Sequence, residues 1–125
     1  MQHSILWIDS EQAKGFVFTK DSFEMNTDLD RIKPKHHDNH LDRIDQIHNE
    51  EIKHFFHEVS QKLGTASDLL IAGPGMAKNH FKSYLETHMP ELAKKVVGVV
   101  TMDHPTAPEI IKSAKEYYHD HHLKI

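Results

Sequence analysis

Cysteine is absent from the 125 residues. Its absence excludes disulfide partners, thiolate-rich zinc sites and every mechanism built on a cysteine nucleophile, and it suits a chain kept in a reducing compartment. Long apolar runs are also missing. No stretch approaches the roughly 18 residues of a spanning helix, and Met1-Gln2-His3-Ser4 passes directly into a strand-like run without a basic leader. The expectation is a soluble cytoplasmic protein with no membrane partner. Excess positive charge is lacking as well: 15 Lys and Arg against 19 Asp and Glu give a formal net charge of -4. That balance argues against broad electrostatic attachment to nucleic acid, which needs clustered cations.

Histidine is what the chain has in quantity. Its 13 imidazoles titrate near neutrality, so the real charge depends on pH. With 38% hydrophobic residues the length suits a single domain, 1–125, with its own core.

The chain is organised around Leu69-Leu70-Ile71-Ala72-Gly73-Pro74-Gly75-Met76-Ala77-Lys78. An uncharged apolar run closed by Gly-Pro-Gly and followed by helix formers reads as a buried parallel strand turning into a helix. Glycines at such a turn leave amides uncovered near a helix start, where the helix dipole favours anions. Gly73, Gly75 and Lys78 are therefore the candidate anion site. The loop is too short for a P-loop and lacks its Gly-Lys-Ser/Thr ending, so an ordinary strand-to-helix turn is the favoured reading.

Around this centre the pattern is regular. Ile5-Leu6-Trp7-Ile8 is apolar on both faces, which marks an interior strand. Gly15-Phe16-Val17-Phe18-Thr19 follows after a short polar link, as in a hairpin, and Phe23, Met25 and Thr27 alternate with polar residues as in an edge strand. Residues 30–40 carry almost no apolar side chain and read as an exposed His-rich loop. From 41 to 63, Leu41, Ile44, Ile52, Phe55, Phe56, Val59 and Leu63 keep helical spacing up to Gly64. Phe81, Tyr84, Leu85 and His88 predict a second helix, closed by Pro90. Val96-Val97-Gly98-Val99-Val100-Thr101-Met102 reads as another buried strand. Thr106 with Glu109 forms a capping-box pattern opening a last helix over Ile110, Ile111, Ala114, Tyr117 and Tyr118, with residues 119–125 a frayed tail.

A three-strand meander followed by two crossover units predicts an α/β RNase H-like domain. Its sheet is mixed and five-stranded, in the order 3-2-1-4-5, with strand 2 antiparallel and helices on both faces.

Several segments resemble a known family. Ile5-Leu6-Trp7-Ile8-Asp9-Ser10, the meander, the Lys33-Pro34-Lys35-His36 loop feeding a long helix, the Leu70-Ile71-Ala72-Gly73-Pro74-Gly75-Met76-Ala77-Lys78 turn and the Val96-Val97-Gly98-Val99-Val100-Thr101-Met102-Asp103 strand look like the middle domain of archaeal and eukaryotic class-one release factors and Pelota. They look closer still to small stand-alone bacterial relatives labelled translational machinery proteins. In the release factors the loop before the long helix carries a Gly-Gly-Gln tripeptide that enters the peptidyl-transferase centre. Here that loop reads Pro34-Lys35-His36-His37-Asp38-Asn39-His40, with neither glycine nor glutamine. The resemblance therefore does not carry peptidyl-tRNA hydrolysis onto this chain. Pelota's corresponding domain also lacks the tripeptide. The resemblance thus implies a non-catalytic, translation-machinery-associated protein that contacts the ribosome or RNA through Lys33, Lys35, His36, His37 and His40, by charge and stacking.

The competing reading is a metal-dependent RNase H-like nuclease. Asp9 and Asp103, with Gly75 and His104, fall beyond the carboxyl ends of the parallel strands, the edge where open α/β sheets place their sites. Two carboxylates there can hold Mg²⁺. Such nucleases gather three or four carboxylates, however, and Asp readily fills turn and cap positions, so turn and cap roles are favoured.

Among the histidines, His36, His37 and His40 are the candidate metal ligands, for adventitious Zn²⁺ or Ni²⁺. His54 with His57 and His119, His121 and His122 repeat the possibility, and none of these sets fixes a third ligand by spacing. No native cofactor is expected. His48 reads as a packing histidine, and neither Ser4 nor Ser22 sits in a nucleophile elbow. Exposed edge strands allow a homodimer without requiring one.

Overall fold

β1 (His3–Ile8) runs through the middle of the sheet and is buried along its whole length, as its two-faced apolar sequence requires. The structure, a computed structural model, describes residues 3–9, 12–19, 22–26, 44–63, 67–103, 105–121 and 123, with side chains at all of these except 25–26 and 44–52. On one side β1 pairs antiparallel with β2 (Ala13–Phe18), in the register Ile5 opposite Phe16, and β2 pairs antiparallel with β3 (Phe23–Asn26). On the other side it pairs parallel with β4 (Leu69–Gly73), in the register Trp7 opposite Ala72, and β4 pairs parallel with β5 (Val96–Thr101). The order is β3-β2-β1-β4-β5, the order that the hairpins and crossovers of the sequence predict.

Alternate residues of each strand feed opposite faces. On one face Leu6, Ile8, Leu69 and Ile71 meet Phe55, Phe56 and Val59 of α1 (Ile44–Lys62) and Phe81 and Leu85 of α2 (Ala77–His88). On the other face Ile5, Trp7, Leu70 and Ala72 meet Ile110, Ile111, Ala114 and Tyr118 of a C-terminal helix that spans Ala107–Asp120. Helices thus cover both faces, and truncating an anchor such as Phe81 to Ala costs roughly 3–5 kcal/mol.

Three details differ from the sequence reading. Pro90 does not simply close α2: α2 ends at His88, Met89 N–H donates to the Leu85 carbonyl at 2.7 Å, and Pro90 then opens a one-turn helix, α3 (Pro90–Ala93). Proline at a first helical position loses no bond, because its missing N–H has no intrahelical partner there. The C-terminal helix, α4, does not give way at His119. It continues to Asp120, and Leu123 N–H donates to the Tyr118 carbonyl at 2.8 Å while its side chain packs on the second core. The strand over Val96–Thr101 is not buried on both faces: β5 is an edge strand of the sheet, and its residues are only partly buried or exposed. The capping box at the start of α4 is present, with Glu109 Oε1 accepting from Thr106 N–H at 3.1 Å and from Thr106 Oγ1 at 2.8 Å.

The expected His-rich loop at 30–40 and the first three residues of the predicted long helix, 41–43, lie outside the described residues. Among the described residues no helix is long and apolar enough to cross a membrane.

Candidate functional site

The carboxyl ends of β1, β4 and β5 lie at one edge of the sheet, where Asp9, the Gly73-Pro74-Gly75 turn and Asp103 follow them. Asp9 is engaged in closing the β1–β2 hairpin: its Oδ1 accepts from Gln12 N–H at 2.8 Å, and its own N–H donates to the Gln12 carbonyl at 3.0 Å. This is the local bonding for which Asp is favoured in turns. The main chain of Asp103 is held from β1, since Trp7 Nε1 donates to the Asp103 carbonyl at 2.8 Å and to the Met102 carbonyl at 3.2 Å. Met102 N–H in turn donates to the Gly73 carbonyl at 2.9 Å. Among the described residues no three His, Cys, Asp or Glu side chains come together where they could hold a metal ion, and His104 lies outside those residues.

The candidate anion residues do meet at the start of α2, in unequal roles. Gly73 is required by close approach, because a Cβ there would overlap the Ile8 carbonyl of β1. Gly75 faces open space. Lys78 is 7% exposed, and its Nζ donates to the Gly75 carbonyl, so the ammonium is bound to the turn that precedes its own helix. The N-cap Met76 makes no side-chain capping bond, and its carbonyl accepts from Asn79 and His80 N–H at 3.0 Å each.

A polar cluster that the sequence reading missed lies at the opposite edge. His3 Nδ1 donates to Asp68 Oδ2 at 2.8 Å, and Tyr118 Oη donates to Asp68 Oδ1 at 2.7 Å. The His3 ring packs on Phe18 and Tyr118, with centroids at 5.4 and 4.9 Å. His3 is 1% exposed, and its Nε2 is buried without a hydrogen-bond partner. Burial first, then the hydrogen bond to Asp68 and its charge, raises the Tyr118 pKa far above the ordinary tyrosine range. The trio ties the starts of β1 and β4 to α4. A histidine opening a wholly apolar strand was the only sequence signal for it.

The third locus is a groove of about 350 Å³ between α1 and α2. Phe56 and Tyr84 line it, with ring centroids 5.7 Å apart, and His88 follows 4.6 Å beyond Tyr84. Lys53, His80, Ser83 and Thr87 complete the lining. Burial raises the Tyr84 pKa, so its hydroxyl stays a donor well above neutral pH. That hydroxyl lies 3.4 Å from His57 Nδ1. His54 and His57 are both exposed on α1.

The C-terminal histidines are occupied locally. His121 stacks on Tyr117 at 3.9 Å and its Nδ1 donates to the Tyr117 carbonyl at 2.9 Å, while His119 Nδ1 lies 3.5 Å from Asp120 Oδ1. His122 and the loop residues Lys33, Lys35, His36, His37 and His40 lie outside the described residues, and so does the side chain of His48.

No protein-family model matches the chain. Among curated proteins it is similar to the pelota homolog of Methanocaldococcus jannaschii, 35% identical over an alignment of 75 residues, with 56% of this chain and 22% of that protein covered. The pelota homolog of Archaeoglobus fulgidus is 47% identical over 49 residues, 38% of this chain and 14% of that protein. Among solved structures, Archaeoglobus fulgidus Pelota superposes with a TM-score of 0.63 at 25% identity, covering 92% of this chain and 31% of that one. Thermoplasma acidophilum Pelota gives 0.65 at 17% identity over 93% of this chain and 33% of that one, and an archaeal translation termination factor gives 0.59 at 17% over 95% and 39%. The chain therefore resembles the middle domain of Pelota and the release factors, and it spans about a third of those solved chains.

Proposed function

We propose that this chain is a non-catalytic, translation-machinery-associated protein that contacts the ribosome or its RNA in the cytoplasm. The observation that carries the reading is the likeness to Pelota, which runs through 92% of the chain in structure and reaches 35% sequence identity over 75 residues. In this reading the contact is made by Lys33, Lys35, His36, His37 and His40, whose cations and imidazole planes suit phosphates and unstacked bases. The same loop has no Gly-Gly-Gln tripeptide, which leaves binding without hydrolysis. Zn²⁺ or Ni²⁺ taken up by His36, His37 and His40 is adventitious in this account. The engagement of Asp9 in the β1–β2 turn favours this reading over an Mg²⁺-dependent nuclease.

Co-sedimentation with ribosomes over a salt series tests it. Binding that weakens as salt rises, and weakens further when the five loop residues become alanine, supports the proposal. Mg²⁺-dependent RNA cleavage that is abolished by Asp9→Asn replaces it with the nuclease.

A further inference from the structure

We propose that the groove between α1 and α2 is a stacking site for a nucleotide of single-stranded RNA, with the base on Tyr84 and His88 and the adjoining phosphate at Lys53. The site deepens the reading of the chain as an RNA-contacting protein, on which it rests, and it uses no residue of the 30–40 segment. Its volume, about 350 Å³, falls within the roughly 300–1,000 Å³ of small-ligand sites. Phe56, Tyr84 and His88 form a graded aromatic row. Phe56 is 4% exposed and anchors the floor, Tyr84 is partly buried against it, and the exposed His88 ring lies 4.6 Å from Tyr84 at 39°. An exposed imidazole beside a phenol offers a π-surface at the solvent boundary, and aromatic surfaces of this kind bind bases with little regard to sequence.

The polar groups around that row have the sign a phosphate requires. Lys53 and His80 contribute cationic or hydrogen-bonding nitrogen, Ser83 and Thr87 contribute hydroxyls, and among the described residues no carboxylate lines the groove. The Tyr84 hydroxyl, neutral at ordinary pH and 3.4 Å from His57 Nδ1, brings no anionic charge to the site. An amphipathic peptide helix would instead require a continuous apolar rim, and exposed Lys53, His80, Ser83, Thr87 and His88 interrupt it. The charge and the aromatic row together favour a nucleic-acid strand.

Fluorescence anisotropy with a labelled unstructured RNA of about 8 nucleotides, within the site sizes of single-strand binders, reads the contact in the full chain. His88→Ala removes an exposed ring and should weaken binding about fivefold or more, the loss of one stacked base. Lys53→Gln should lower the slope of log affinity against log salt by about 0.7, the value for one phosphate on a single strand. Lys112→Ala, on the exposed side of α4, should change neither. An abasic strand of equal length should bind the unaltered protein about as weakly as RNA binds the His88→Ala protein. If RNA binds and neither groove variant weakens it, the groove assignment is overturned while the RNA reading stands. If the abasic strand binds as tightly as RNA, stacking is refuted. If no RNA binds but ribosomes still co-sediment, the nucleotide site fails and the translation-associated reading survives.

Discussion

Trp7 and Asp103 are 96 positions apart in sequence, and the indole Nε1 of one donates to the main-chain carbonyl of the other at 2.8 Å. The bond fixes the segment leaving β5 against the end of β1, across the end of the intervening strand β4. Trp7→Phe keeps an aromatic ring but leaves the Asp103 and Met102 carbonyls without this donor. A hydrogen bond of this kind contributes about 0.5–1.5 kcal/mol. Urea denaturation checks the loss, and an unchanged midpoint would remove the bond from the account of how the sheet edge is held.

Gly73 and Gly75 flank one proline yet should respond in opposite ways. Gly73→Ala forces a Cβ into the Ile8 carbonyl, and overpacking of this kind costs about 1–3 kcal/mol. Gly75→Ala meets open space, so restricting the unfolded chain should leave stability unchanged or raise it by up to about 1 kcal/mol. Thermal melts of the two proteins, side by side, decide between this view and one in which both glycines serve the turn equally.

Tyr118 should make the fold sensitive to alkali. Its folded pKa is raised, chiefly by burial and then by the bond to Asp68, above the ordinary value of 10.0. The stability linked to the neutral phenol is fully present below pH 10 and declines as pH climbs from there toward the folded value, because only the unfolded chain ionises in that window. Tyr118→Phe should flatten the decline above pH 10 and, at neutral pH, cost about 1.5–3 kcal/mol for the lost bond to a carboxylate. Equal alkaline slopes in the two proteins would contradict this.

Glu109 works in the acid direction. Its hydrogen bonds from the Thr106 hydroxyl and then the Thr106 N–H hold its pKa below the ordinary 4.5. The capping contribution is present above pH 4.5 and is lost as pH falls through the lowered folded value. Glu109→Gln should remove that part of the acid dependence of helicity at α4, followed by circular dichroism between neutral pH and pH 2.5. Because the carboxyl is fully exposed, the change should be small.

The sheet order was legible because each strand announced its environment. Leu-Leu-Ile-Ala reads as an interior parallel strand and is one, and the short polar link from Asp9 to Lys14 suits neighbouring strands, but Val-Val-Gly-Val-Val reads as equally buried and yet forms the edge strand β5, because an apolar run does not say how many neighbours it pairs with. Pro90 was misread because a proline stops one helix and starts another with the same φ, and the sequence does not say which. The tail was misread because Leu123 returns to the second core, a tertiary contact that no local pattern records. The site was less legible than the fold. The aspartates at the sheet edge were visible as residue types, but the bond from Gln12 N–H to Asp9 was not. The groove escaped notice because Tyr84 and His88 keep core spacing on α2 yet fall at its margin, where only the position of α1 reveals that they are open to solvent. The His3, Asp68 and Tyr118 trio draws on three separate segments, and spacing along one element cannot reveal it.

The central claim is association with the translation machinery, and ribosome co-sedimentation of the intact chain tests it most directly. The protein should travel with ribosomes at low salt, leave them as salt rises, and leave earlier when Lys33, Lys35, His36, His37 and His40 are replaced by alanine. A protein that stays in the supernatant at every salt concentration, with ribosomes sedimenting normally in the same tube, would contradict it.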